Sequence, residues 1–182
     1  YVFAKGDGVD RLSMSGNATA EGSITIEDYT SDEVRVRLAS DSGSDLILSF
    51  AVTGEMIVLA GALSGAQFPA ITFADGVVWD RAALLQRAVA DQATTGDDLI
   101  RSHATLSATL AGGLGDDDLF GGSQSDIYRF TRGDGRDVIT DAGGTADRLE
   151  ITGHTFADLR VARLETSRLE LVLSFAGSTD EI

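Results

Sequence analysis

The amino-acid sequence predicts an all-β fold that carries one short helix. Three observations predict it. Many apolar residues fall in short runs, several alternating with polar residues as half-buried strands do. Glycine is abundant and proline nearly absent, 21 against 1, which marks many tight turns rather than a disordered linker. From Ala93 to about Leu149, glycine and aspartate crowd together in a repeating register with single apolar residues between them.

In chain order, Lys5-Gly-Asp-Gly-Val-Asp-Arg-Leu12 is a turn followed by a strand, so residues 1–12 read as the end of a turn unit. Residues 13–92 form a strand-rich segment. Ile24–Ile26 and Val34–Leu38 alternate apolar and polar; Leu46–Phe50 and Met56–Leu59 are denser and are expected to be more buried. Ala70–Phe73 and Val77–Trp79 flank Ala74-Asp75-Gly76. An Asp-Gly pair between apolar runs predicts a hairpin whose two central residues take positive φ. Asp80 then caps a helix over Arg81–Ala90, where alanine and leucine favour helix and Leu84, Leu85, Ala88 and Val89 share a face that packs on the sheet. The glycine–aspartate segment spans 93–149, and 150–182 opens a second strand-rich segment.

The chain repeats itself. Tyr1–Asp10 matches Tyr128–Asp137, Val34–Val36 matches Leu159–Val161, Leu46–Phe50 matches Leu171–Phe175, and Ile57 falls opposite Ile182; the offset is 127 residues at first and 125 later. Self-similarity at a long period implies an array, so the chain is expected to be part of a longer protein with further copies.

The formal net charge is −15, from 29 acidic and 14 basic residues. Nucleic acid is a poor partner for such a surface, which lacks a basic face to neutralise phosphates, and divalent cations are its natural counterions. There is no cysteine, which excludes disulfides, zinc–thiolate sites and cysteine nucleophiles. No apolar stretch approaches the roughly 18 residues of a spanning helix.

The chemistry lies in the glycine–aspartate register. Gly112-Gly-Leu-Gly-Asp-Asp-Asp-Leu-Phe120 fits the nonapeptide G-G-x-G-x-D-x-U-x, with U a large apolar residue, at every fixed position. Gly121–Arg129 keeps both glycines, Asp126 and Tyr128, with Gln124 in place of a glycine. Arg132–Thr140 keeps Gly133, Gly135, Asp137 and Ile139; Ala142–Glu150 keeps Asp147 and Leu149; Ala93–Arg101 keeps Gly96, Asp98 and Ile100. Six residues make a turn in which glycine lets carbonyls face inward and the sixth-place aspartate adds a carboxylate. Three more make a strand with one side chain in the core. Calcium, a hard cation that takes six to eight oxygens from carbonyls and carboxylates, suits stacked turns of this kind better than magnesium does.

These residues resemble the RTX (repeats-in-toxin, haemolysin-type) calcium-binding family. The Tyr-x-Phe-x-x-Gly-Asp-Gly-x-Asp element and Ile71–Trp79 resemble the associated haemolysin-type calcium-binding-related unit. The resemblance implies a short parallel β-roll over 93–149, flanked by strand-rich β segments, with 1–12 the end of a preceding RTX turn and 150–182 the truncated start of the next segment. It implies ions held between a turn and the next but one. The carbonyls of Thr94 and Gly96 with Asp98 would then face those of Gly112 and Leu114 with Asp117. The carbonyls of Gly113 and Gly115 with Asp117 would face those of Arg132 and Asp134 with Asp137. Those of Gly122 and Gln124 with Asp126 would face those of Ala142 and Gly144 with Asp147. Paired turns lie 19, 20 and 21 residues apart rather than twice nine, and Ser102–Ser107 lacks both glycine and aspartate, so its turn is expected to be metal-free. Two to four calcium ions are expected. Family members leave the bacterial cell by type I secretion and fold outside it on meeting calcium, so the resemblance implies a secreted or cell-surface location.

No catalytic constellation is expected. Asp41-Ser42-Gly43 reads as a connecting turn, His103 and His154 lack a triad context, Asp117 within Asp116–Asp118 is explained by the nonapeptide register, and Asn17-Ala18-Thr19 is a chance sequon if the source is bacterial, as the resemblance implies. Trp79 reads as hairpin core rather than a sugar platform. The expected function is a non-catalytic calcium-binding module of a large secreted protein. Two alternatives stand beside it: an adhesin-type module whose 13–92 segment binds a surface or carbohydrate ligand, and an accessory domain of a secreted RTX enzyme or toxin.

Overall fold

A computed structural model describes residues 1–14, 22–39, 43–64, 68–104, 106–163 and 170–182. The Asn17 sequon and Asp41-Ser42 lie outside them. The described residues are mostly strand, with one α-helix, so the chain is all-β apart from that helix. It divides into two compact units, Tyr1–Asp91 and Gln92–Ile182.

The first unit contains β1 (Val2–Phe3), β2 (Val9–Ser13), β3 (Ile24–Ile26), a 3-10 turn (Ser31–Glu33), β4 (Val34–Leu38), β5 (Leu46–Phe50), β6 (Met56–Ala60), β7 (Ile71–Thr72), β8 (Val78–Trp79) and α1 (Arg81–Ala90). Two four-stranded sheets result, in the orders β1-β3-β7-β8 and β2-β6-β5-β4. The pairs β1–β3, β3–β7 and β2–β6 are parallel, and the remaining neighbours are antiparallel. The alternation of β3 and β4 points Ile24, Ile26, Val34 and Val36 inward, where they meet Phe3, Leu48, Phe50, Ile57, Leu59, Ile71 and Leu84 in one core. Asp80 caps α1 by accepting the Ala83 N–H at 2.8 Å, and Leu84, Ala88 and Val89 are the buried face of the helix.

The Asp75-Gly76 reversal differs from the sequence expectation. Ile71 pairs with Trp79, but only Gly76 takes positive φ, at 79°. The reversal runs over Phe73–Val77, closed by the Phe73 N–H on the Val77 carbonyl (3.0 Å) and the Gly76 N–H on the Phe73 carbonyl (2.9 Å). A longer loop spreads the change of direction, so Asp75 is spared the left-handed region. Its carboxylate instead accepts from the Val77 N–H and from the N–H and hydroxyl of Ser31.

The second unit contains β9 (Leu99–Arg101), β10 (Thr109–Ala111), β11 (Asp118–Phe120), β12 (Ile127–Thr131), β13 (Val138–Thr140), β14 (Arg148–Thr152), β15 (Leu159–Arg163) and β16 (Leu171–Phe175). From β9 to β14, successive strands alternate between two parallel three-stranded sheets, β13-β11-β9 and β10-β12-β14. Of the single apolar residues of the register, Ile100, Leu119 and Tyr128 are buried and Ile139 and Leu149 half-buried; Leu110, on β10, is buried as well. β15 and β16 form an antiparallel hairpin.

The sequence repeat is also a repeat of structure. The pairing Phe3↔Ile26 recurs as Phe130↔Ile151, Val34↔Phe50 as Leu159↔Phe175, and Val9↔Met56 as the bridge Arg136↔Glu181. The aromatic stack recurs too. Phe50 packs on Phe3 and Tyr29 with ring centroids 5.0 and 4.4 Å away, and Phe175 packs on Phe130 and His154 at 5.8 and 3.9 Å.

At the base of this stack sits a buried carboxylate. Glu55 accepts from the Tyr29 hydroxyl and from the N–H groups of Gly6 (2.5 Å) and Gly8 (3.3 Å). These bonds, the Tyr29 hydroxyl first, hold its carboxyl down to about 2, against an ordinary 4.5. A carboxyl held below its unfolded value stabilises the fold above that value and loses the contribution as pH falls through the depressed one. Glu55→Gln should lower the thermal midpoint of the chain at pH 7. The gap between wild type and variant should close as pH falls from about 4.5 towards 2, followed by circular-dichroism melts at fixed calcium.

Candidate metal centre

The register of the second unit decides which turns lie side by side. Leu99 pairs with Asp118 and Asp118 with Val138, so the aspartates just before these strands, Asp98, Asp117 and Asp137, fall into one row. Ile127 pairs with Arg148, which sets Asp126 beside Asp147 on the other sheet.

Each row is laced by the same bond: an aspartate N–H donates to the carboxylate of its successor in the row. Asp98 N–H reaches Asp117 Oδ1 at 2.8 Å, Asp117 N–H reaches Asp137 Oδ1 at 3.2 Å, and Asp126 N–H reaches Asp147 Oδ1 at 3.0 Å. An outer lacing runs the other way, with Asp116 N–H on Asp97 Oδ1 (2.9 Å) and Arg136 N–H on Asp116 Oδ1 (3.0 Å).

The two rows differ in what is left over. Asp126 is fully buried and satisfied: Oδ1 accepts the Ala108 N–H and Oδ2 the Gly122 N–H, both at 2.7 Å. Asp117 and Asp137 are only 1% and 4% exposed, yet Oδ2 of each is buried with no hydrogen-bond partner. A buried carboxylate oxygen without a donor or cation is costly. Burial raises the Asp117 carboxyl above its ordinary range, helped by the charges of Asp98, Asp97 and Asp134. Burial likewise pushes Asp137 up to about 7, helped by Asp117, Asp134 and Asp116, and burial raises Asp134 as well, with Asp180 adding to it. The row concentrates negative charge, and among the described residues none of its three aspartates forms an ion pair.

Backbone packing explains the glycines. Gly115 has φ 134° and Gly135 φ 115°. A Cβ on Gly115 would lie 2.6 Å from the Gly96 carbonyl carbon, and one on Gly135 would strike the Gly115 carbonyl oxygen. The turns around 96, 115 and 135 therefore stack backbone on backbone. At Gly112 and Gly144 a Cβ would collide with the carboxylates of Asp117 and Asp147, so these glycines make room for acids.

The other expected ligands are placed as follows. The N–H and hydroxyl of Thr94 hold the Asp98 carboxylate, at 2.6 and 3.0 Å. The Asp134 carbonyl accepts the Gly115 N–H at 2.8 Å, which leaves one lone pair, and its carboxylate caps the Thr131 N–H. Gly113 lies over Thr94, a Cβ there meeting the Thr94 carbonyl at 3.4 Å. Gly122 is buried, while Leu114, Gln124, Arg132, Ala142 and Gly144 are exposed, as turn residues are. In the turn expected to be metal-free, the Ala104 carbonyl accepts both the N–H (2.9 Å) and the hydroxyl (2.6 Å) of Ser123. Among the described residues no three His, Cys, Asp or Glu side chains gather as a metal cluster, so an ion at these turns would draw largely on backbone carbonyls.

Sequence reasoning missed a second carboxylate device. Asp180 is the repeat counterpart of Glu55. It accepts the Gly133 N–H at 2.9 Å and lies 2.8 Å from Nε2 of His154, the counterpart of Tyr29. These turns present N–H groups to an acid instead of carbonyls to a cation. The signal that finds it is the 125-residue offset, which aligns Tyr29 with His154 and Glu55 with Asp180.

Gly115→Ala should cost about 1–3 kcal/mol, through strained φ and a backbone clash. Gly133→Ala, at φ 98° but with nothing within 4 Å of the added carbon, should cost only about 1 kcal/mol. Denaturant melts of the two variants measure the difference. No family model matches this chain, and no curated protein matches its sequence.

Proposed function

We propose that residues 93–149 form a calcium-binding β-roll, and that the chain is a non-catalytic module of a secreted bacterial protein that gains stability as calcium binds outside the cell. The observation that carries the reading is the pair of buried, partnerless oxygens, Oδ2 of Asp117 and Oδ2 of Asp137. Two sheets of alternating parallel strands, with glycine-bearing turns stacked backbone on backbone, support it further.

The donor set fits calcium. One ion would be held by Asp98 and Asp117 with the carbonyls of Thr94, Gly96, Gly112 and Leu114. A second would be held by Asp117 and Asp137 with those of Gly113, Gly115, Arg132 and Asp134. These are hard oxygens in mixed carboxylate and carbonyl sets, which calcium tolerates and magnesium does not favour. The set at Gly122, Gln124, Asp126, Ala142, Gly144 and Asp147 has the least need of an ion, because Asp126 already spends both oxygens on N–H groups.

The ion would supply the missing counter-charge, and its binding free energy would be folding free energy for the row. Extracellular calcium modules bind at about 10⁻⁴–10⁻³ M. At ten times the dissociation constant each site would add about 1.4 kcal/mol. Trp79 is buried against Phe73, ring centroids 4.3 Å apart, with Arg87 over its face, which gives the adhesin alternative no aromatic platform there.

Circular dichroism during calcium titration of the EDTA-stripped chain tests the reading, with magnesium as control. The expected result is a calcium-selective gain of β signal and midpoint that Asp117→Ala weakens. Asp137→Asn should act with opposite signs. In EDTA it relieves the buried charge and raises the midpoint, by on the order of 1 kcal/mol in stability; in calcium it removes a ligand and lowers the midpoint. A spectrum and midpoint indifferent to calcium, together with no heat of binding in calorimetry, would sink the proposal.

A further inference from the structure

The loop that carries the first turn of the row is closed by a side chain. Gln92 pairs with Arg101 at two points: Nε2 donates to the Arg101 carbonyl and Oε1 accepts the Arg101 N–H, both at 3.0 Å. An N–H only donates and a carbonyl only accepts, so the two contacts fix which way the amide faces. On β9 the Asp98 carbonyl accepts the Asp118 N–H and the Ser102 N–H donates to the Phe120 carbonyl, which ties both residues to β11. Successive residues of a strand turn their N–H and C=O to opposite sides, so those of Arg101 face away from β11. β9 is the edge strand of its sheet. At Arg101 the Gln92 amide supplies the donor and acceptor that a neighbouring strand would supply.

Gln92 and Arg101 thus tie together the two ends of the stretch that holds the turn 93–98. Arg101 is fixed on its other side as well: its guanidinium lies 4.0 Å over the ring of Phe120, its pairing partner on β11. Within the loop, the Thr94 hydroxyl accepts the Gly96 N–H at 3.2 Å and donates to the Asp98 carboxylate. The turns of the row differ in how they are backed. The turn around 115 lies against Gly96 on one side and Gly135 on the other. The turn around 96 is approached closely by Gly113 and Gly115, while a Cβ on Gly96 itself would meet nothing within 4 Å. With less packed against it, the first turn depends more on its own closure, and tying the ends of a short loop removes much of its freedom.

We propose that Gln92 is a positioning residue for the first calcium site: as a surrogate strand on the edge of β9 it holds the turn 93–98 in place, and so sets the affinity of the ion assigned to Asp98 and Asp117. The inference rests on the calcium reading of that turn and adds a residue the nonapeptide register does not contain. Gln92 touches no ion. It acts through Arg101 and the loop between them, so that the carbonyls of Thr94 and Gly96 and the Asp98 carboxylate need less ordering when an ion arrives. The site at Asp117 and Asp137 lies between turns that are stacked on each other, and it does not depend on Gln92.

The test compares the full chain with Gln92→Met, which keeps the length of the side chain and removes both bonds. Hydrogen exchange with calcium present reads the closure itself. The Arg101 amide should exchange on the order of tenfold faster in the variant, while the Ser102 amide, bonded to β11, stays as it was. Gln92→Glu, which keeps the acceptor, should restore the protection of Arg101. Calcium calorimetry reads the site. One binding step should weaken about tenfold, as for other residues that orient metal ligands, and the remaining steps should hold. In an Asp98→Asn background, where that site is already lost, Gln92→Met should change no further step. Equal weakening of every step would overturn the proposal, because Gln92 would then support the fold at large. So would wild-type steps that Gln92→Met leaves unchanged, with the calcium reading intact. A wild-type chain that gives no heat with calcium fails the calcium reading, and the inference falls with it.

Discussion

The second unit is organised by one bond, the aspartate N–H that donates to the next carboxylate in its row. For Asp98 to reach Asp117, and Asp117 to reach Asp137, the turns must approach within hydrogen-bond distance across a parallel register. That approach leaves no room for a Cβ where turn passes turn, and this, more than freedom of φ alone, is why glycine stands at 115 and 135. The same bond uses one carboxylate oxygen and turns the other inward. A row built this way gathers negative charge as it lengthens, which is the feature the proposed calcium sites would answer.

The contrast between the rows sharpens the point. Asp126 holds the same place in its nonapeptide as Asp117, yet both its oxygens find N–H groups. The difference comes from the neighbouring turns. On this side Ala108 donates its N–H to Asp126, and Ser123 bonds the Ala104 carbonyl through both its N–H and its hydroxyl. Two backbone N–H groups here satisfy the carboxylate that has an unpartnered oxygen in the other row. Glu55 and Asp180 carry the logic to its inverse. At Gly6 and Gly133 the turn offers N–H groups, and an acid from the same chain occupies them.

Much of the fold was legible in the sequence. The strands at 24–26, 34–38 and 46–50, the Asp80 cap and the helix over 81–90 follow from alternation, apolar density and capping chemistry, all of which are local. The nonapeptide register placed the apolar residues that the structure buries, Ile100, Leu119 and Tyr128. What stayed hidden depends on contacts between distant residues. Which oxygen of Asp117 goes unpartnered depends on residues 19 and 20 positions away, and the Glu55 clamp joins residues 47 and 49 apart. At Asp75 the Asp-Gly signal was right about the reversal. It was wrong about its geometry, because Ser31 holds the aspartate side chain from outside the loop.

Burial escaped the sequence for a further reason. Val36 and Val161 occupy the same place in the same hairpin and differ sixtyfold in exposure, because burial belongs to whatever packs above a strand and not to the strand. The second unit keeps its hairpin without that cover. Phe175 is still stacked between Phe130 and His154, and Asp180 still ties the hairpin's far end to the Gly133 turn. The two units therefore rest on different forces. The first is held chiefly by a continuous apolar core closed by α1. The second is held by laced turns that bring buried carboxylates together, with Asp117 and Asp137 raised above their ordinary range by burial, whereas Glu55, the buried acid of the first unit's core, is held down by its hydrogen bonds.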